Sequence, residues 1–544
     1  MRGGTMTIAS RQDPSAAPSP GGVGQFARNS VFGTAAGVLA AFSSVIASVI
    51  VAHALGVAET GVVAFALWTA ALGAAVIDFG IQASLARYLP ELSTAGCADE
   101  IYRLASALWR WLALSCAVTI AGFGGWAWWS WQAGALSSSD ALLWSLVGLL
   151  CAVQALAGFT NGLLRGSQRF DRVAVLTVVS FACQLGGVAA GSIAFGAAGA
   201  VAGYCAGNVV PAALSLRYAL PRGPLSRELM IRVRRYALYF WAAALSSTFV
   251  WSRAELFFLQ RSSGSAAVGL FTVAVMLANL AAQGPTLLTV GLLPYFAQSF
   301  GEGAVSKMKE GYATGTRVLA FLVLPACFGL AAIMPAVLPM MYGQAFADAV
   351  PAATVLVLFA GIGAISSVGA SIVMAMDRSD FIFISGLAAA TLAVAAGLTV
   401  IPAFGLMGAV WARAAIQFSA VVMGSGFVFW RLGFPLPLFD LGRLLLAASL
   451  CGLAARSSLN LNLAPKGLSL VLAIAASAVV YAVSVRVLRA LHPGDAERLR
   501  SLCRRLPVKL AAICELGIGL LTPERSGRKQ IFVEARQRSV GDGN

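Results

Sequence analysis

Charge is scarce in this sequence: Asp, Glu, Lys and Arg together make up 11% of its 544 residues. That excludes a set of ordinary soluble domains, whose surfaces are kept in water by charge. Metal-ligand spacing is missing too. The nine cysteines form no Cys-x-x-Cys or Cys/His pattern and mostly fall inside apolar runs, so they read as small core residues, not as a zinc site or a disulfide framework. No Gly-x4-Gly-Lys-Ser/Thr loop occurs, which excludes ATP hydrolysis by this chain, and no cofactor is expected.

What the chain has instead is apolar length. It is 59% hydrophobic with a mean hydropathy of +0.82, and continuous apolar runs of about 20 residues recur between short polar segments. Continuous runs without alternation point to helices and not to a barrel. The fold class expected is an all-α polytopic membrane protein of about fourteen transmembrane helices, at 30–52, 61–86, 104–131, 141–164, 173–194, 197–218, 236–260, 267–298, 315–341, 350–376, 381–401, 405–430, 441–459 and 467–488. The stretch before them, with Pro14, Pro18, Pro20, Gly21 and Gly22, reads as a disordered cytoplasmic tail over 1–26. The run from Val31 is longer than a signal-peptide core and is read as the first span.

The net charge of +16 is explained by topology. With the N-terminus in the cytoplasm, outside loops hold Arg261, Arg456 and Lys466, Arg253 and Arg413 lie within spans, and the other Lys and Arg collect in inside loops, tails and inner helix ends. The positive-inside rule thus sets both termini in the cytoplasm and removes the case for a nucleic-acid partner. Trp126, Trp128, Trp129 and Trp131 cluster at the outer end of the third span, as an interfacial belt does.

The chain also repeats itself at a shift of 208 to 209 residues. Gly56 and Gly61 match Gly264 and Gly269, Arg169-Phe170-Asp171 matches Arg378-Ser379-Asp380, and the run from Phe195 to Val201 matches that from Phe404 to Val410. Six spans per unit give both halves the same orientation, so two parallel six-helix repeats should surround a central cavity. The expected organisation is a first lobe over 27–221, a second over 222–436, two added helices over 437–490 and a basic cytoplasmic tail over 491–544. Arg498, Arg500, Arg504, Arg505 and Lys509, interleaved with leucines, suit a helix lying on an anionic leaflet.

Polar groups inside spans are the candidate site, because an ionisable group at the bilayer centre costs about 2.5 to 3.5 kcal/mol unless it meets water or a partner. Arg253 and Arg413 can face one cavity and grip an anionic group through planar guanidinium forks, or Glu255 can neutralise one of them across helices. Arg413 and Gln417 share a helix face, and Asn208 holds the repeat position of Gln417. Asn279 and Gln283 form a second pair, and both pairs either meet polar groups of a cargo or tie helices together. Asp78, four before Gln82, is a candidate for ion or proton coupling or a structural acceptor near Gly80. Arg87, Arg110 and His53 are read as groups at the headgroup level.

Ala54-Leu55-Gly56-Val57-Ala58-Glu59-Thr60-Gly61, then Asp78-Phe79-Gly80-Ile81 and Arg87-Tyr88, resemble the opening of polysaccharide (O-antigen and exopolysaccharide) flippases in the multidrug/oligosaccharidyl-lipid/polysaccharide exporter superfamily. Leu164 to Phe170, Arg253-Ala254-Glu255, Val268 to Phe271, Tyr342-Gly343 with Phe346, and Phe404-Gly405 with Gly408-Ala409 resemble it as well, so that the likeness covers about residues 27 to 435. Glu255 stands where the family often has Asp. The resemblance implies a non-enzymatic flippase that moves undecaprenyl-pyrophosphate-linked oligosaccharide to the periplasmic leaflet for lipopolysaccharide or exopolysaccharide assembly. Its implied partners are membrane lipids and a polysaccharide polymerase or glycosyltransferases. An ion-coupled multidrug exporter and a peptidoglycan lipid-precursor flippase are the alternatives within the superfamily. A membrane polymerase or ligase would need a substantial outside loop, and the loops here are mostly about ten residues or fewer.

Overall fold

Hydrocarbon offers no hydrogen bonds to backbone amides, so a chain that crosses it must satisfy each amide within its own segment. This chain does so with α-helix, and its described residues contain no strand. The computed structural model describes residues 20–94, 98–220, 223, 225–251, 254–286, 289, 292–461, 466–490, 494 and 495. The first half comprises α1 (Pro20–Asp78), α2 (Ile81–Thr94), α3 (Ala98–Gln132), α4 (Ser138–Gly166) and α5 (Phe170–Ser215), closed by a 3-10 turn at Leu216–Tyr218. The second half comprises α6 (Arg227–Trp251), α7 (Glu255–Thr286), α8 (Leu292–Gly301), α9 (Val305–Tyr342), α10 (Val350–Ala375) and α11 (Ser379–Gly426), followed by α12 (Leu438–Asn460) and α13 (Lys466–Val487).

Ten of the described helices are long and apolar enough to cross a membrane. Four helices, α1, α5, α7 and α11, are interrupted by glycines at positive φ: Gly56 (77°), Gly196 (60°), Gly264 (77°) and Gly405 (53°). Only glycine takes that conformation at little cost, and there the helix turns back on itself. In α5, Gly191 comes to lie against the backbone of Gly199, and in α11 Gly408 lies against the carbonyl of Val400. In α1, Ser44 and Ser48 line the same cavity as Leu67 and Trp68, which a straight helix would hold more than 25 Å away at about 1.5 Å per residue. With α6 and the first turns of α7 taken as one crossing, the helices make the about fourteen crossings expected.

The repeat is visible in the backbone itself. Gly56 and Gly264 share ψ of −173° and −177°, and Gly196 and Gly405 share ψ of −139° and −128°. Gln168 and Asp377, one repeat apart, both take a positive φ, 55° and 52°. Parallel six-helix units follow, each with its own apolar core. Leu85, Leu104, Val147, Leu150 and Phe159 are buried in the first, and Phe271, Phe296, Val323, Val357 and Val368 in the second.

Lipid tails are as apolar as leucine, so helices associate here through close packing and polar contacts. Gly158, Gly162 and Gly166 form a stripe on α4 that receives α2: a Cβ on Gly162 would stand 2.6 Å from the carbonyl oxygen of Gln82, and one on Gly166 2.6 Å from that of Leu85. The last two helices are held to α9 by polar groups. The Arg317 guanidinium meets Asp495 at 2.7 Å and Asp440 at 3.7 Å, and Tyr481 donates to the carbonyl of Phe321 at 2.8 Å.

Several expectations meet the structure directly. Trp126, Trp128, Trp129 and Trp131 are all exposed near the end of α3, as an interfacial belt requires. Cys116, Cys151, Cys205, Cys327 and Cys451 are buried free thiols, and Cys183 is partly buried. Helix α1 begins at Pro20, upstream of the expected end of the tail at 26, because proline's fixed φ suits a first helical position. Residues 1–19 of that tail, and 491–493 and 496–544 of the C-terminal one, lie outside the described residues.

Gly162→Ala should destabilise the detergent-solubilised protein by about 1 to 3 kcal/mol, as overpacking does. Gly124→Ala, where nothing lies within 4 Å of the added Cβ, should leave the melting temperature unchanged or raise it through helix propensity. Equal melting temperatures for the two variants would show that α2 does not seat on the glycine stripe.

Candidate functional site

The second crossing of α1 ends at Asp78, where Phe79 (φ 46°) and Gly80 (φ 72°) turn the chain into α2. The Asp78 carboxylate accepts the backbone N–H of Gln82 at 3.2 Å and so caps the first turn of α2. A Cβ on Gly80 would lie 2.4 Å from the carbonyl oxygen of Ala237, so α6 passes directly over this turn. The Trp241 indole on α6 donates to the carbonyls of Ala75 and Val76 at 3.1 and 3.0 Å, satisfying acceptors that the end of α1 leaves open.

Below this joint lies the largest of three neighbouring cavities, of about 800 Å³, with Asp78, Gln82, Arg87, Gln154, Arg165 and Trp241 in its walls. Arg87 is exposed at its rim and pairs with Glu91 at 3.3 Å. Glu91 also pairs with Arg232 of α6, whose guanidinium lies 5.3 Å from the centre of the Tyr88 ring. A second cavity of about 330 Å³ shares Ala71 with the first and continues to Ser44, Ser48, Thr60, Tyr204, Asn279 and Arg413. A third, about 210 Å³, shares Asn279 and Arg413 with the second and adds Gln417. From Asp78 to Thr60 the walls follow α1 for roughly 27 Å of helical rise, close to a hydrocarbon core of ~30 Å.

The path is closed at the end where the chain reverses. There α1 crosses α7 so tightly that a Cβ on Gly61 would overlap the carbonyl oxygen of Ser265, and one on Gly269 would come within 2.3 Å of that of Val57. Gly61 and Gly269, and likewise Val57 and Ser265, are counterparts in the two repeats, so the closure lies on the axis that relates the lobes.

Near that closed end a buried ion pair joins the first turn of α7 to α11. Glu255 is 2% exposed and its Oε1 lies 3.6 Å from Nη1 of Arg413, which is 17% exposed. Neither oxygen of Glu255 has a hydrogen-bond partner among the described residues, so the charge of Arg413 is its recorded compensation. The carboxylate sits behind the guanidinium, and the guanidinium forms part of the walls of two cavities. Gln417, one turn on, is accommodated by Gly363: a Cβ there would stand 2.0 Å from Nε2 of Gln417.

The predicted residues divide accordingly. Asp78, Asn279, Arg413 and Gln417 line the connected cavities, and Glu255 backs Arg413. Asn208 turns its amide to the carbonyl of Tyr204 at 3.0 Å and lies outside these walls. Arg253 falls outside the described residues, as does the side chain of Gln283, whose backbone is in α7. His53 is exposed with Nδ1 3.1 Å from the carbonyl of Val49, and Arg110 is exposed on α3, both away from the cavities. Sequence reading passed over Gln154, Tyr204 and Trp241. Tyr204 had a signal, since it is the repeat counterpart of Arg413; Gln154 and Trp241 had none beyond being polar or amphipathic in a span.

Comparison with known proteins places this geometry. A family model described as "Polysaccharide biosynthesis protein" matches residues 26–300. No curated protein sequence matches the chain. Among solved structures, the fold is similar to that of the lipid II flippase MurJ in an inward closed conformation, at a TM-score of 0.65 and 11% identity over 84% of this chain and 98% of that one. It is also similar to an inward-facing multidrug resistance MATE family transporter of the MOP superfamily, at a TM-score of 0.59 and 16% identity over 73% and 94%. Those likenesses establish a shared polytopic fold, and the family match, over half of the chain, establishes kinship: the chain belongs to the polysaccharide biosynthesis protein family.

Proposed function

We propose that this membrane flippase carries an undecaprenyl-pyrophosphate-linked oligosaccharide from the cytoplasmic to the periplasmic leaflet of a bacterial inner membrane, for lipopolysaccharide or exopolysaccharide assembly. The observation that carries the reading is Arg413, a guanidinium held within a span at the head of a polar path and backed by a buried carboxylate. Five N–H donors let one guanidinium serve Glu255 and an anionic phosphate together. Below it, Gln82, Gln154, Asn279 and Gln417 offer amides of the kind that meet sugar hydroxyls, while the lipid tail stays in the bilayer. Arg87 and Arg165 at the wide mouth supply the positive field that draws an anionic headgroup in.

The lobes meet tightly at the reversal end, and at the basic end a thinner bridge joins them, Glu91 of α2 to Arg232 of α6. With the termini in the cytoplasm, breaking that bridge opens the path to cargo, one half of an alternating-access cycle. Outward movement of each negative charge is favoured by about 2.3 kcal/mol per 100 mV of negative-inside potential, so the headgroup supplies part of its own driving force. Glycosyltransferases on the receiving side and a polymerase on the other are the partners this reading requires.

A second reading rests on Asp78, whose carboxylate lines the largest cavity. An ion-coupled exporter of cationic compounds would use it as its counter-charge, and a peptidoglycan lipid precursor, the cargo named for the similar MurJ structure, would use the same cationic path as an oligosaccharide lipid.

In cells lacking the protein, radiolabelled undecaprenyl-linked oligosaccharide should accumulate on the cytoplasmic face, and the wild type should clear it while Arg413→Ala does not. Intermediate that reaches the periplasm without the protein would move drug export to first place.

The ion pair permits a finer test. Glu255→Gln removes the buried carboxylate charge that faces Arg413, and breaking a fully buried pair costs about 3 to 5 kcal/mol at the upper end, so its yield after solubilisation should fall. Glu255→Gln with Arg413→Gln should recover the yield and still fail to clear cargo. Full clearance by the double variant would reduce the pair to a structural tie.

A further inference from the structure

A fourth cavity, of about 370 Å³, lies on the face of α4 turned away from the transport path and shares no wall residue with it. Its walls come from α4 (Thr160, Leu163, Leu164), from the start of α5 (Asp171, Arg172, Val175, Leu176) and from the far end of α5 with the 3-10 turn that follows (Leu214, Arg217, Tyr218). The floor is rigid. Tyr218 stacks on Tyr102 at 5.4 Å and packs against Phe159 at 5.9 Å, and the Thr160 hydroxyl is tied to the carbonyl of Pro211 at 2.7 Å.

The internal repeat supplies a control for this cavity within the same molecule. One repeat on, Arg172 becomes Phe381, Tyr218 becomes Phe427 and Arg217 becomes Gly426. There the two phenylalanines stack at 4.2 Å and 20°, Arg378 lies 5.2 Å from the centre of the Phe427 ring, and the same guanidinium is held by Asp380 at 2.8 Å. In the second lobe, then, the corresponding space is filled by aromatic rings and its arginine is neutralised. In the first lobe the space is open, and it carries two arginines, both exposed, with no ion pair to either among the described residues. Asp171 reduces the local charge without cancelling it.

We infer that this cavity binds the phosphodiester of an anionic phospholipid between Arg172 and Arg217, outside the transport path. The ligand is a lipid, not a free anion, because most of its other walls are apolar and the cavity opens beside exposed apolar side chains: Val175 and Leu216 are 63% and 57% exposed. A fatty acyl chain lies along that surface while the phosphate meets the guanidinium forks. Asp171 sits where a carboxylate would repel a bare dianion more strongly than a singly charged phosphodiester. The site opens at the basic end of the bundle, which the positive-inside pattern sets against the anionic leaflet. Binding in detergent depends on neither that orientation nor the cargo, so failure here and failure of the proposed function are separable.

The test is native mass spectrometry of the full chain in detergent, titrated with phosphatidylglycerol or phosphatidylcholine, with and without excess inorganic phosphate. The wild type should retain phosphatidylglycerol in preference to phosphatidylcholine, and Arg172→Phe with Arg217→Gly, which imports the residues of the second lobe, should weaken retention roughly tenfold or more. Arg378→Ala should leave it at the wild-type level. Both arginines are exposed, so the double change touches no core. Arg172→Gln and Arg217→Gln provide milder single variants, each expected to weaken retention in part. Unchanged retention by the double variant overturns the site, and displacement of the lipid by inorganic phosphate at equal concentration overturns its assignment to a lipid.

Discussion

Two glycines, Gly61 and Gly269, let the backbones of α1 and α7 touch on the axis that relates the two lobes, and the rest of the architecture depends on that contact. A β-carbon at either position would overlap a carbonyl oxygen of the other helix, so the crossing exists only because both repeats kept glycine there. In lipid, where no hydrophobic force draws helices together, such close approach holds one lobe to the other at this end, and polar contacts from α6 to α1 and α2 do so at the opposite end. Fixing the lobes at the reversal end also decides where they can part. The cavities therefore widen away from this crossing, toward Arg87 and Arg165.

Charge inside the bundle is arranged so that each buried group has a stated task. Arg317 binds Asp440 and Asp495, fastening the two added helices to α9 at one end of the bundle. Glu255 and Arg413 join α7 to α11 near the crossing. The two pairs differ in what surrounds them. Arg317 is enclosed by its carboxylates, whereas Arg413 is part of the walls of two cavities and has Asn279 and Gln417 beside it. Equal chemistry thus closes one arginine within the bundle and leaves the other at a cavity wall.

Much of this was legible in the sequence because a membrane imposes so few solutions. Apolar length gave the crossings, and the 208 to 209 residue shift gave two parallel units; the matched dihedrals at Gly56 and Gly264, and at Gly196 and Gly405, are the same repeat written in the backbone. The pairing of Glu255 with Arg413 was legible as one of two alternatives, since opposite charges in adjacent spans attract wherever geometry allows. What escaped was rotation about each helix axis. Asn208 and Gln417 are repeat counterparts, yet Gln417 fills the space left by Gly363 and lines a cavity, while Asn208 bonds to its own helix. Nothing in a linear pattern of polar residues reports which of them a neighbouring glycine has made room for. Asp78 was legible as an acceptor near Gly80, four before Gln82, and it does accept from Gln82; the positive φ at Phe79 and Gly80 that makes the turn was not, because apolar length does not encode it.

The departures from symmetry carry more functional information than the symmetry does. Duplication gives two lobes equal claims on the central path, but Arg413 faces its counterpart Tyr204 across the second cavity, so the cation comes from one lobe and an aromatic ring from the other. The first lobe contributes Asp78, Gln82 and Gln154 to the wide mouth, so carboxylate and amides line one end of the cavities and the guanidinium lies toward the other. An axis along the membrane normal repeats every group at the same height, so strict symmetry would give the two walls of each cavity identical chemistry. Divergence between the repeats is what sets a cation in one wall of the second cavity and an aromatic ring in the other, a contrast that duplication alone does not produce.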